Sequence, residues 1–199
     1  DIFTRCHHAG GPEIFQFDQN SHIFHLPAGR PQISKLEIAN HLDEFTSNLL
    51  RFISENELSY DLVHSHYWLS ASTGQSVANY LRVPHLFTYH TSAEVKERSG
   101  GHQESPYRKQ IEADIAISAD GIITFTEQES EAMQYIYGTD PNRVKAVPLG
   151  VDSQLFHPGS KKDARLRLGL NPNDKIILFV GRIEYFKGPE LLLSAVAKM

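Results

Sequence analysis

The pattern with the most chemical potential lies near the end of this 199-residue sequence, where Gly181-Arg182 is followed five residues later by Lys187-Gly188. The pattern follows residues 175–180, where the apolar run 176–180 is typical of a buried strand. A forked guanidinium and a point-charge ammonium can together neutralise a diphosphate, and the N-terminus of a following helix adds a positive dipole. The alternative is an exposed loop that carries two solvated cations.

Polar side chains also follow two earlier apolar runs. Residues 62–64 lead into Ser65-His66-Tyr67-Trp68, and residues 85–90 lead into Thr91-Ser92 and then Lys96. In an open parallel sheet, ligands bind at the carboxyl ends of the strands, because loops and helix N-termini meet there. These donors therefore predict a binding cleft at one edge of a sheet.

The elements that would position these residues follow from the spacing of apolar side chains. Short apolar runs bounded by turn residues predict strands over residues 2–4, 14–17, 22–26, 62–64, 85–90, 121–126 and 144–148. Helical spacing predicts helices over about 36–53, 70–81, 106–118 and 127–137. Strands that alternate with helices in this way indicate an α/β fold with a parallel sheet covered on both faces.

A second domain is predicted after Pro148, where the strand and helix pattern gives way to turn residues. The segment from Leu149 to Gly159 has the turn residues of a linker. A basic helix over 161–168, the strand over 175–180 and a helix that starts near Pro189 would form the opening unit of the second domain. The expected domains are therefore residues 1–150 and 151–199. We also expect the sequence to be a fragment that is truncated at both ends.

Composition restricts the possible partners. The formal net charge of −5 gives no overall attraction to nucleic acid or anionic membranes, and no apolar run approaches the ~20 residues of a membrane-spanning helix. The single cysteine, Cys6, permits no internal disulfide and fits a cytoplasmic location. We expect small-molecule ligands, no nucleic acid and no stable membrane insertion. The P-loop and the Gly-x-Gly-x-x-Gly motif are both absent from the sequence.

A metal site is the first alternative for the histidines. His64 and His66 are two residues apart, so on a strand they would share a face, and His7-His8 are adjacent. However, the sequence has no His-Glu-x-x-His motif, no paired cysteines and no clear carboxylate as a third ligand. We therefore expect no metal, and hydrogen-bonded structural roles for His7, His8 and His102.

Four segments, in order along the chain, resemble glycosyltransferase family 4, whose GT-B architecture has two facing Rossmann-like domains. The first two are Asp61-Leu62-Val63-His64-Ser65-His66-Tyr67-Trp68 and Phe87-Thr88-Tyr89-His90-Thr91. The third, similar to the family's interdomain hinge, is Pro148-Leu149-Gly150-Val151-Asp152 with Phe156 and Pro158, and the fourth is Phe179-Val180-Gly181-Arg182 with Lys187-Gly188. The resemblance implies a retaining transfer of a sugar from a nucleotide diphosphate, with an acceptor-side first domain and a donor-side second domain.

Within this family the sequence is similar to the inositol-phosphate N-acetylglucosaminyltransferase and sucrose-phosphate synthase branches, which implies a phosphorylated acceptor. The residues that match the acceptor site are Lys35, Tyr67, Thr91, Lys96 and Arg108. From its position alone, Arg108 could instead pair with Glu112 one helical turn later. A non-phosphorylated glycan or lipid acceptor remains an alternative.

The resemblance also assigns the donor side. His90 matches the family histidine beside the donor sugar, and Gly181, Arg182 and Lys187 match the diphosphate segment. It implies no cofactor beyond a nucleotide sugar, with UDP as the expected nucleotide, and a leaving group stabilised by the two cations. The family's first glycine-rich loop is not matched, and its acidic donor motif would lie beyond Met199, so the 199 residues alone are expected to be inactive.

Three further classes of protein share this two-lobed architecture and stay open as hypotheses. They are a non-catalytic sugar- or nucleotide-binding protein, a nucleotide-sugar epimerase and a phosphorylase. A binding protein would not require the pair of Arg182 and Lys187 opposite a cluster of acceptor residues. A phosphorylase would normally need a lysine that carries pyridoxal phosphate, and the sequence shows no candidate for one.

Overall fold

The structure, a computed structural model, describes residues 1–7 and 14–199, without the side chains of Lys35, Leu36 and Phe186. It divides into two compact units. One comprises residues 1–98 and 102–148, and the other comprises residues 99–101 and 149–199. The predicted site residue Lys35 begins a helix, but its side chain lies outside the described residues.

The first unit contains two sheets. Its strands are β1 (Ile2–Arg5), β2 (Ile14–Asp18), β3 (Ser21–Leu26), β4 (Val63–His66), β5 (His85–Thr88), β6 (Gly121–Thr124) and β7 (Val144–Ala146). β3 lies between β1, to which it is parallel, and β2, to which it is antiparallel. Strands β4 to β7 form a parallel sheet in sequence order. The α/β class and the parallel sheet predicted from the sequence are confirmed.

Helices in the first unit cover the strands. They are α1 (Lys35–Ile38), α2 (Leu42–Glu55), α3 (Trp68–Leu81), α4 (Ala93–Arg98), α5 (Pro106–Ser118) and α6 (Glu127–Tyr137), with 3₁₀ turns at Ala39–His41 and Pro141–Arg143. One buried cluster, centred on Phe87 and Ile122, packs α5 and α6 against the parallel sheet. A second, centred on Leu49 and Ile53, packs α2 against β3 and α3. None of the described helices is long and apolar enough to cross a membrane.

Local signals explain where the helices begin. The Ser105 side chain accepts a hydrogen bond from the Arg108 backbone N–H, and Pro106 occupies the first helical position, so α5 begins where the sequence predicts. A capping box between Thr126 and Glu129 starts α6. The predicted helix over 36–53 is divided, because a 3₁₀ turn separates α1 from α2. Helix α4 is too short to show a clear apolar period, and the sequence did not predict it.

The second unit contains helix α7 (Lys161–Arg167), a 3₁₀ turn at Tyr185–Lys187 and helix α8 (Pro189–Val196). The predicted strand over residues 175–180 was wrong, because these residues form no strand and most of them are exposed. A strand is stabilised by hydrogen bonds to a neighbouring strand. Residues 149–199, all of which the structure describes, contain no other strand that could pair with it. The start of the last helix at Pro189 is confirmed.

We expect Gly74→Ala to destabilise the first unit, although alanine favours a helix interior by about 1 kcal/mol. Gly74 lies within α3, where an added Cβ would meet His85 Nε2 at 2.6 Å and Ser65 Cβ at 2.7 Å. His85 and Ser65 are buried and hydrogen-bonded to each other at 2.7 Å, so neither can yield easily. A net loss of about 1–3 kcal/mol in the free energy of unfolding is expected in urea titrations.

Gly150→Ala is the matched control, since its added Cβ would meet nothing within 4 Å. Equal stabilities for the two variants would contradict a net steric cost at Gly74.

Candidate functional site

The turn that follows β4 holds Tyr67 in an unusual backbone conformation. Its φ of 69° and ψ of 152° lie in a region that is almost restricted to glycine. The Tyr67 backbone N–H donates to the Thr88 carbonyl at 2.8 Å, which ties the start of α3 to the end of β5. Such strain persists only where the surroundings enforce it, and it is concentrated at functional sites.

The turn after β5 is also strained. His90 has a φ of 61°, and the Thr91 backbone N–H donates to the Tyr89 carbonyl at 2.7 Å, so His90 is the centre of a tight three-residue turn. His90 and Thr91 are both exposed residues that lie beyond the end of the strand. Two neighbouring strands therefore end in strained turns that present predicted site residues.

Arg108 on α5 connects these turns. Its Nη1 donates to the Tyr67 hydroxyl at 3.3 Å, and its Nη2 donates to the Thr91 carbonyl at 2.8 Å and to the Thr91 hydroxyl at 3.3 Å. The guanidinium carbon also lies 5.2 Å from the centre of the Tyr67 ring, which is cation–π geometry. The structure thus brings together three of the five predicted acceptor residues.

Glu112 holds Arg108 from behind. The Nε of Arg108 donates to the Glu112 carboxylate at 2.6 Å, and the side chains of Arg108 and Glu112 are only 4% and 0% exposed. The same carboxylate accepts from the Ala93 backbone N–H at 2.7 Å and from the Tyr137 hydroxyl at 3.1 Å. Burial raises the pKa of Glu112, although these donors oppose the shift. The ion pair between Arg108 and Glu112, which the sequence left open, is therefore present. It coexists with the contacts of Arg108 to Tyr67 and Thr91.

Lys96 on α4 reaches the same region through Glu104, a residue that no sequence pattern singles out. The Lys96 ammonium is in very short contact with the Glu104 carboxylate, and the other oxygen of Glu104 lies 3.1 Å from Nη1 of Arg108. Burial would raise the pKa of Glu104, but Lys96 and Arg108 hold it below its ordinary value. Glu104 precedes α5 by two residues, where neither helical nor strand periodicity applies.

A small cavity lies against the ends of β5 and β6. Its volume is about 170 Å³, and its lining includes three predicted site residues, His90, Thr91 and Lys96. Phe125 and Met133 contribute apolar walls. A mixed apolar and polar lining of this kind suits part of a small ligand.

Histidines form a chain beside this cavity. Nδ1 of His66 lies 3.0 Å from Nε2 of His90, and the rings of His66 and His64 are 4.1 Å apart. Nε2 of His64 lies 2.8 Å from the Thr88 hydroxyl. Partial burial, followed by the proximity of His90, lowers the pKa of His64, and burial with both neighbours lowers that of His66. Within residues 1–7 and 14–199, no group of three or more histidine, cysteine or carboxylate side chains is arranged to hold a metal ion.

In the second unit, the predicted donor residues lie on an exposed loop. The Arg182 side chain is 75% exposed, and its Nη1 lies 2.8 Å from the Glu184 carboxylate. Lys187 is exposed at the end of a 3₁₀ turn, and Gly188 follows with a φ of 70°, a left-handed conformation that favours glycine. Because residues 175–180 form no strand, these cations do not follow a strand end as the sequence predicted.

Comparison with known proteins identifies relatives of the whole sequence. Residues 1–150 match the family described as "Glycosyl transferase 4-like domain". D-inositol 3-phosphate glycosyltransferases from Nocardiopsis dassonvillei and Corynebacterium glutamicum are 36% and 34% identical, and each match covers 100% of this chain. The matches cover 48% and 49% of those two proteins, so the chain spans about half the length of these curated relatives.

Solved structures agree with this relationship. Sucrose-phosphate synthase from Thermosynechococcus elongatus matches with a TM-score of 0.85 and 28% identity, over 99% of this chain and 49% of that chain. The Anabaena protein HepE, in complex with UDP and glucose, matches with a TM-score of 0.65 over 88% of this chain and 44% of that chain. At 18% identity, the HepE match supports the fold alone. The predicted GT-B type of α/β fold is confirmed, and the chain belongs to the glycosyl transferase 4-like family.

Proposed function

We propose that the whole protein is a retaining glycosyltransferase that moves a sugar from a nucleotide diphosphate, UDP in particular, to a small phosphorylated acceptor. The observation that carries the acceptor side is the convergence of Arg108, Tyr67 and Thr91 from three separate elements. Guanidinium and hydroxyl donors in this arrangement suit a phosphate. The names of the inositol-phosphate and sucrose-phosphate relatives support the same acceptor class, with inositol phosphate or fructose phosphate as examples.

In this proposal, residues 1–150 bind the acceptor and residues 151–199 form the first part of the donor-binding domain. Tyr67, Thr91, Lys96 and Arg108, with Lys35, would hold the acceptor phosphate. His90 would contact the donor sugar, and its ring is oriented by the hydrogen bond with His66. The proposal requires no cofactor, since the nucleotide sugar is a substrate.

The leaving group determines what the donor side must do. As the sugar–phosphate bond breaks, negative charge grows on the departing diphosphate, and that charge needs donors that are already in position. Arg182 and Lys187 would supply them, together with the backbone at Gly181. The acceptor hydroxyl would attack the anomeric carbon from the face on which the bond to the diphosphate breaks, and the departing diphosphate oxygen would accept its proton. Because the new bond forms on the same face as the broken one, configuration is retained with no covalent intermediate on the protein.

A non-phosphorylated glycan or lipid acceptor is the second candidate, and one observation favours it. Both Arg108 and Lys96 are already paired with carboxylates in this structure, so their charges are compensated without a ligand. If the cations are permanently neutralised, an uncharged acceptor would suffice.

Turnover of the whole protein separates these candidates. With UDP-sugars as donors, UDP release should depend on inositol phosphate or fructose phosphate and be weak with inositol or fructose. Thr91→Val removes one hydroxyl from the site, and we expect the KM for the phosphorylated acceptor to rise about tenfold, since a hydrogen bond to a charged group contributes about 1.5 kcal/mol.

Ser72→Ala, which removes an exposed hydroxyl on α3, is the control and should leave the KM for the acceptor unchanged. Equal turnover with phosphorylated and unphosphorylated acceptors would contradict the proposal and favour the second candidate.

A further inference from the structure

Glu104 connects two cations of the proposed acceptor site. One of its oxygens contacts the Lys96 ammonium, and the other lies 3.1 Å from Nη1 of Arg108. The Glu104 side chain is 17% exposed, so the contact is largely shielded from water. Nη1 of Arg108 is also the nitrogen that donates to the Tyr67 hydroxyl. A carboxylate of the protein therefore lies where the proposed site would hold an anion.

We propose that the Glu104 carboxylate is an internal counter-anion of the acceptor site, which a phosphate dianion displaces and a monoanionic carboxylate does not. The inference rests on the proposed acceptor site and adds a residue that determines its specificity.

The balance of charges around Arg108 favours this exchange. With Glu104 in place, the positive charges of Lys96 and Arg108 are balanced by the carboxylates of Glu104 and Glu112. A phosphate that entered this balanced cluster would add about two negative charges and meet repulsion from Glu104. Once Glu104 has left, the remaining cluster has a net positive charge. A phosphate dianion then replaces the single negative charge of Glu104 with two negative charges and gains attraction to the cations. A carboxylate ligand replaces it with one negative charge and gains nothing.

The geometry allows Glu104 to leave without disturbing the partners behind it. Arg108 remains fixed by Glu112 through Nε and by Thr91 through Nη2, and neither contact involves Glu104. The Glu104 backbone N–H is held separately by the Glu97 carboxylate. Rotation of the Glu104 side chain alone would therefore release Nη1 of Arg108 and the Lys96 ammonium.

Binding of inorganic phosphate and of acetate, measured by isothermal titration calorimetry, tests the inference. Glu104→Gln keeps the size of the side chain and removes its charge. We expect it to bind phosphate about tenfold more tightly than the unmodified chain, because the competing negative charge is absent. We also expect the variant to gain measurable affinity for acetate. Glu104→Ala should behave in the same way, and thermal melting would confirm that both variants fold.

Glu94→Gln is the matched control. It also removes one negative charge that contacts α5, but Glu94 pairs with Arg98 and Lys109 and not with Lys96 or Arg108. If phosphate binds equally to the unmodified chain and to all three variants, the proposed displacement of Glu104 is wrong, although a phosphate site is still supported. If Glu94→Gln strengthens binding as much as Glu104→Gln, the effect is one of overall charge and the inference is wrong. If phosphate binds to none of them, the proposed acceptor site fails as well.

Discussion

Replacing Arg108 with alanine should lower the free energy of unfolding by about 3–5 kcal/mol. Both Arg108 and Glu112 are almost fully buried, and their contact is 2.6 Å long. Removal of the guanidinium would leave the Glu112 carboxylate buried with two neutral donors, the Ala93 N–H and the Tyr137 hydroxyl. Breaking one side of a buried ion pair is costly because the remaining charge has lost its compensation. Urea titration followed by circular dichroism would measure the loss.

Two further variants identify the cause of that loss. Arg108→Met combined with Glu112→Gln removes both charges and keeps an acceptor for the Ala93 N–H, so it should recover most of the stability. Lys109→Ala removes the neighbouring cation on α5, which pairs with Glu94 and Glu97 near the surface, and should cost far less stability because exposed ion pairs contribute little. Equal losses for Arg108→Ala and Lys109→Ala would contradict the buried-pair account.

The double role of Arg108 also determines which variants can test acceptor binding. Arg108 stabilises the fold through Glu112 and presents donors beside Tyr67 and Thr91, so a lost affinity in Arg108→Ala has two possible causes. Thr91→Val and Glu104→Gln change the proposed site without removing the buried pair. They are therefore the more informative variants for the role of the site.

The sequence predicted the parallel sheet and helices α5 and α6 well, because their signals are local. Ser105 and Pro106 mark the start of α5, and Thr126 with Glu129 marks the start of α6. The position of side chains after strand ends is also a local signal, and it is why Tyr67 and Thr91 could be selected together. Their roles in binding a phosphate stay predictions.

The remaining features depend on contacts that no local pattern encodes. Glu104 meets Lys96 and Arg108 from the segment that precedes α5, and His66 meets His90 across two strands. The glycine-like backbone of Tyr67 is imposed by its surroundings, against the preference of its own side chain. The error at residues 175–180 has a related cause, since an apolar run specifies a strand only where a neighbouring strand is available to pair with it.

Arg182→Ala should reduce UDP release by the whole protein by about 10²–10³-fold, the usual effect of removing one donor from a charge that develops in the transition state. The fold should be unaffected, because the Arg182 side chain is 75% exposed and its carboxylate partner at 2.8 Å, Glu184, lies near the surface. The KM for the acceptor should change little, since the proposed role concerns only the leaving diphosphate.

Arg167→Ala is the matched control, because Arg167 is an exposed arginine in the same unit and lies outside the proposed donor segment. Thermal melting should show the same midpoint for both variants, while only Arg182→Ala loses turnover. Lys187→Ala should resemble Arg182→Ala if both cations serve the diphosphate. Full activity in Arg182→Ala and Lys187→Ala would remove the diphosphate assignment but would leave the acceptor site untouched, since its residues belong to the first unit.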